Sequence, residues 1–234
     1  MLLIPTAVEL SSGVLPKRST PVVWIWLALV LAVFISEQAV ILDHDLGYHL
    51  LPRSAFAATT FMVASLSLYG DPALFDLWQL WSHVFIHYHW WLLAAEIVVM
   101  LVIGRALERV MGSALFAAVL VCLGPLGGVL MVLFGHEATY VGGLPFMLGL
   151  MGVILGRLPG AMISWGLAWW AIIAVGYWPL FRQPVHMLIF FIFALTIMSA
   201  PAETAIISAL TSLILLATGY CLGVLVRRFA YTVN

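Results

Sequence analysis

Residues 104–113 read Gly104-Arg-Ala-Leu-Glu-Arg-Val-Met-Gly-Ser113, a charged helix end that runs into a tight turn. Arg105 and Glu108 stand three apart and can pair at a membrane surface. Gly112 can supply a positive φ before the next helix. A long apolar run lies on each side, Trp81–Ile103 before the turn and Ala114–Phe134 after it. A bilayer crossing takes about 20 such residues, so the decapeptide reads as the short connection between two spanning helices.

The rest of the chain has the same character. Of its 234 residues 65% are hydrophobic and only 8% charged, where globular domains carry roughly a quarter charged residues. A soluble fold could not hide that much apolar surface, so the solvent is lipid. The net charge of −1 gives no reason to expect nucleic acid. Cys122 and Cys221 lie inside apolar runs and read as membrane-buried thiols, not a disulfide framework.

Residues 1–21 are too polar and proline-broken for a signal peptide and form an N-terminal segment, which leaves Val22–Leu42 as an uncleaved first span. Further candidate spans are Trp81–Ile103, Ala114–Phe134, Val141–Leu155, Ala161–Trp178, Val185–Met198 and Thr204–Val226, with residues 229–234 as a tail. Between the first two spans, residues 43–80 combine Asp43, His44, Asp45, Arg53, Asp71 and Asp76 with the apolar run Ala55–Leu68. That mix describes a loop partly sunk in the membrane. Lys17, Arg18, Arg105, Arg109 and Arg157 fall on one side, which the positive-inside rule makes cytoplasmic, in the plasma (inner) membrane. This count puts Arg182 outside, while seven crossings put Arg227 and Arg228 outside and six put them inside.

Ionisable groups within a bilayer are functional candidates. His83 and His87 are four apart and would share a helix face; His89 and Glu96 would share another. Such imidazoles suit a metal, haem or pigment site, or they hydrogen-bond at the interface while Trp78, Trp81, Tyr88, Trp90 and Trp91 anchor the headgroup level. His136 and His186 are the other possible ligands. Glu96 lies deeper, where a carboxylate must be protonated, paired or facing a wet cavity. Gly124-Pro-Leu-Gly-Gly128, Gly149…Gly152…Gly156 and Gly219-x-x-x-Gly223 allow close helix contact. No internal repeat is present, and few intramembrane charges exist beyond Glu37 and Glu96, which argues against a transporter.

In their order, these pieces resemble the rhomboid family of intramembrane serine proteases. The likeness runs from Trp78 to about Phe181. "WQLWSHVFIHYHWWLLAAE", with His83 and His87, looks like the second rhomboid helix. "GRALERVMGS", with Gly104, Arg105, Glu108 and Gly112, is similar to the family's G-R-x-x-E-x-x-x-G-S helix end. A glycine-containing third helix, "GGLPFMLGLMG" with Gly142, Gly143, Gly149 and Gly152, and "VGYWPLF" closing a fifth helix complete the set. The resemblance implies an all-α polytopic membrane protein, a bundle of six transmembrane helices over residues 22–228 with one possible extra C-terminal helix. It also implies a short fourth helix whose start carries a serine in G-x-S-G, a histidine base on the sixth helix, and an asparagine and a histidine on the second that hold the oxyanion.

This sequence departs from that pattern. Aligned through Gly149 and Gly152, the serine position is Leu144 and the next glycine Pro145. Aligned through Gly142 and Gly143, the serine position is Pro145. The oxyanion histidine becomes Leu92 and the asparagine Glu96, whose ionised form would repel an oxyanion. The base is His186, or, if Thr204–Val226 is the sixth helix, its position falls on Leu216. The expectation is a catalytically inactive rhomboid-like protein without cofactor, binding transmembrane helices of other proteins within the lipid bilayer as a regulatory or structural subunit of a membrane complex. The alternatives are a protease with a relocated nucleophile among Ser82, Ser164, Ser208 and Ser212, and a histidine-based metal, haem or pigment subunit.

Overall fold

The computed structural model describes residues 2–9, 15–16, 18–46, 68–69, 77–87, 89–134, 139–140, 143–171, 174–200 and 205–232. Gly142 and most of the 43–80 loop lie outside them. The chain is a polytopic helical membrane protein. Among the described residues six apolar helices form the bundle. Four are long enough to cross a bilayer: α1 (Pro21–Leu46), α3 (Trp90–Met111), α4 (Ser113–Phe134) and α7 (Ala205–Thr232). Two are shorter, α5 (Leu144–Arg157) and α6 (Val185–Ser199). A single helical turn, α2 (Gln79–Ser82), precedes α3.

Two of the expected spans differ in the structure. Trp81–Ile103 is not one helix. After α2 the chain makes a 3-10 turn at His83–Phe85, becomes extended at Ile86 (φ −91°, ψ 134°) and restarts as α3 at Trp90. His83 and His87 therefore do not share a helix face. The cause is a competing acceptor: the His87 N–H, which a continuous helix would give to a carbonyl four residues back, goes to the Glu37 carboxylate at 3.1 Å.

Ala161–Trp178 is not a helix either. It is β4 (Met162–Ala171), paired antiparallel with β5 (Ala174–Pro184) in a register from Met162↔Pro184 to Ala171↔Ala174. β1 (Leu2–Glu9) adds to the other edge, giving the order β1-β4-β5. The "VGYWPLF" stretch lies in β5. Trp, Ile and Tyr favour a pleated surface, and Gly166, Gly176 and Pro179 weaken a helix. A short apolar run carries no periodicity that separates the two states. A second, two-residue pairing joins β2 (Leu68–Tyr69) to β3 (Thr139–Tyr140).

The hairpin decides the topology. It leaves the end of α5 and returns to the start of α6 at one level, where the Val185 N–H donates to the Ala161 carbonyl at 3.3 Å. It does not cross the bundle. α5 and α7 then run parallel: Gly149 lies beside Leu215 and Gly219, Gly152 beside Leu216 and Tyr220, and Gly156 beside Tyr220, Gly223 and Val224. A Cβ on Gly152 would meet the Leu216 carbonyl oxygen, and one on Gly219 the Gly149 carbonyl oxygen. Only glycine admits backbones this close.

The start of α1 is bonded to Glu108 near the end of α3, so these termini share one end of the bundle with the sheet and the ends of α5 and α7. Every arginine of the described residues (Arg18, Arg105, Arg109, Arg157, Arg182, Arg227 and Arg228) lies at this basic end. The two conflicts of the charge count, Arg182 and the Arg227–Arg228 pair, both vanish once the hairpin is not a crossing.

Small residues also seat α2. A Cβ on Gly128 would strike the Leu80 backbone, and one on Gly124 would come within 2.9 Å of the Trp81 indole. Pro125, inside α4, donates no backbone hydrogen bond and lies between these two contacts. Cys122 and Cys221 are free and lie on the outer faces of α4 and α7.

Candidate functional site

The start of α5 meets a buried polar network. Glu96, on α3, has no solvent exposure, and His87 has 1%. Their side chains meet at 2.6 Å between His87 Nε2 and Glu96 Oε2. The other carboxylate oxygen, Oε1, accepts the Trp26 indole N–H at 2.6 Å. His87 Nδ1 faces the Phe85 carbonyl at 3.2 Å, so Nδ1 carries a hydrogen. One proton then serves the Nε2–Oε2 contact, giving either imidazolium with carboxylate or neutral ring with carboxylic acid. Both forms are neutral overall, which is what a group deep in a low-dielectric bundle requires.

Glu37 enters from α1. Its Oε2 accepts the His87 backbone N–H, while its buried Oε1 has no hydrogen-bond partner among the described residues. Trp26 organises the apolar side. Its ring stacks on Phe146 of α5 (5.0 Å, 17°), tilts against Phe85 (4.7 Å) and meets Trp81 edge-on (5.9 Å). One tryptophan thus ties α1 to the α2–α3 connection, to α5 and, through its N–H, to α3.

Gly143 closes the network. It precedes α5, and a Cβ there would lie 2.7 Å from Glu96 Oε2 and 3.2 Å from the Val84 carbonyl oxygen. Leu144 and Pro145 form the first turn of α5, where a missing N–H costs least. Leu144 is buried and Pro145 half-buried. Neither carries an atom able to attack a carbonyl. Leu92, half-buried, lies one turn before Glu96 on α3.

His186 does not join this constellation. It is the second residue of α6, exposed, at the basic end, whereas Leu144 begins α5 at the other. The 14 residues of α5 separate the two levels by about 21 Å at 1.5 Å per residue. The helix that packs along α5 through Gly219 and Gly223 is α7, and it carries Leu216 past Gly152. Nearer to the start of α5 lie Thr211 and Ser212, both fully buried, whose hydroxyls lack a hydrogen-bond partner among the described residues.

His83 is buried and bonded through Nδ1 to the Gln79 carbonyl at 3.1 Å. His89 is exposed at the N-terminus of α3 and stacks on Trp91 at 5.8 Å. Trp78 is exposed beside α2. Among the described residues no three His, Cys, Asp or Glu side chains converge in a way that could hold a metal ion.

At the other end, Glu108 does not pair with Arg105. Its Oε1 accepts the Val22 N–H (3.0 Å) and the Ser113 hydroxyl (2.7 Å), and its Oε2 accepts the Val23 N–H (3.0 Å). The carboxylate caps α1, whose first N–H groups have no acceptor of their own. Gly112 takes φ +85° directly after α3, and the Cβ that Gly104 lacks leaves room for Val23 of α1.

The sequence reading names one of these participants, Glu37, only as an intramembrane charge, and does not name Trp26. Glu37 carries a signal, a lone acid inside an apolar span. Trp26 carries none, being one of ten tryptophans. A family model described as the rhomboid domain matches residues 74–229. No curated protein matches the sequence.

Proposed function

The chain belongs to the rhomboid family, and on that premise we propose that it is a member without protease chemistry that binds transmembrane helices of other proteins as a regulatory or structural subunit of a membrane complex. The observation that carries this reading is Glu96. It stands where the resemblance places an oxyanion-holding amide, and both its oxygens are engaged, by His87 and Trp26. An oxyanion needs donors aimed at it, and here the donors already serve a carboxylate. Leu144 and Pro145 at the start of α5 and Leu216 on α7 supply neither nucleophile nor base.

The short α5, wedged between its neighbours, supports helix binding by the retained scaffold. The basic end faces the cytoplasm of the plasma (inner) membrane, because all the described arginines gather there.

Two experiments test the proposal. A serine-directed fluorophosphonate leaves the purified protein unlabelled; labelling overturns the inactive reading. Purification from native membranes in mild detergent brings down discrete polytopic or single-span partners in fixed proportion; a chain that always emerges alone overturns the subunit reading. The relocated-nucleophile alternative requires that Ser82, Ser208 or Ser212 to alanine abolish cleavage of a transmembrane substrate. Ser164 lies in β4 at the basic end, away from the start of α5.

A further inference from the structure

Arg105 and Arg109 sit one turn apart near the end of α3, and the acid between them, Glu108, is spent on α1. Neither arginine has a carboxylate partner among the described residues. Their Nε atoms, like that of Arg157, are buried and lack an acceptor. The Arg105 guanidinium lies 5.9 Å from the ring centre of Trp24, which is 55% exposed on the outer face of α1. Seven described arginines share this end with only Glu9 and Glu108 among the described acidic residues. A planar fork of donors with no acceptor matches a phosphate, and an outward-facing tryptophan at a helix end marks the level of lipid headgroups.

We propose that Arg105, Arg109 and Trp24 form a binding site for the headgroup phosphate of an anionic phospholipid in the leaflet at the basic end. The guanidinium groups take the phosphate oxygens. The Trp24 ring backs Arg105 and lies along the upper acyl chain. The surrounding positive charge selects lipids with net negative charge over zwitterionic ones.

The test is native mass spectrometry of the full chain in mild detergent, titrated with phosphatidylglycerol or phosphatidylcholine of the same acyl chains, with inorganic phosphate in a third arm. The wild type retains several-fold more phosphatidylglycerol than phosphatidylcholine, and inorganic phosphate alone does not occupy the site. R105Q/R109Q loses the preference, whereas R227Q/R228Q, equal in charge removed, keeps it. W24L, altered at an exposed position, retains the fold and lowers phosphatidylglycerol retention, which keeps the test decisive if the double arginine variant does not fold. Unchanged retention in W24L, equal loss in R227Q/R228Q, or full occupation by inorganic phosphate overturns the site.

Discussion

His87 Nε2 and Glu96 Oε2 lie 2.6 Å apart in the closed core of the bundle, joined by one shared proton. Removing one leaves a buried group unpaired. Glu96→Ala or His87→Ala is expected to destabilise the protein by about 3–5 kcal/mol. The double change His87→Leu with Glu96→Leu removes both polar groups and costs less than the sum. Thermal unfolding in detergent, arranged as a double-mutant cycle, reads the coupling. Additive effects would show that the pair contributes nothing as a pair.

Gly143→Ala places a methyl group 2.7 Å from Glu96 Oε2. The expected loss is about 1–3 kcal/mol, as for overpacking in a tight core. Glu96→Ala opens that space, so the two changes together cost less than their sum. An additive result would mean that Gly143 is needed for another reason.

Gly152→Ala and Gly219→Ala set a methyl against backbone carbonyls, which cannot rotate away. Gly127→Ala is the control: it meets only the Leu215 Cδ1 at 3.4 Å. Alanine exceeds glycine in a helix interior by about 1 kcal/mol, so the control is neutral or stabilising, while the α5–α7 substitutions lower the unfolding temperature. Equal behaviour at all three positions would refute the close backbone contact.

Glu108→Ala uncaps α1. The expected loss is about 1–2 kcal/mol, in the upper range for an N-cap. Ser113→Ala, which removes one of the bonds to the same carboxylate, costs less. Unfolding of both variants in detergent checks the order.

The spanning helices were legible because apolar length is a one-dimensional signal: α1, α4 and α7 lie close to their expected bounds. The break between His83 and Trp90 was not. Local propensity there is compatible with a helix, and what unmakes it is Glu37, 50 residues away in sequence. The hairpin was misread for a different reason, since aromatic and β-branched apolar residues serve a helix or a strand. At the site, Glu96 announced itself as a lone acid in an apolar run. Its partner His87 was marked as an ionisable group in the same way, but Trp26 was not, because it is chosen by three-dimensional proximity to the Phe146 ring and the Glu96 carboxylate.

With Cys122 and Cys221 replaced by serine, single cysteines test the crossing count. Arg18→Cys and Arg182→Cys react from the same face of sealed, oriented vesicles. Thr139→Cys, in β3 beyond the far end of α4, reacts from the opposite face. Residue 182 labelling together with residue 139 would restore the seventh crossing.

The hairpin of β4 and β5 sets the parity of the chain. Because these residues leave α5 and return to α6 at one end of the bundle, β1 and the last turn of α7 lie at that same end. Halves of a split fluorescent protein fused to the two termini therefore meet in the same compartment.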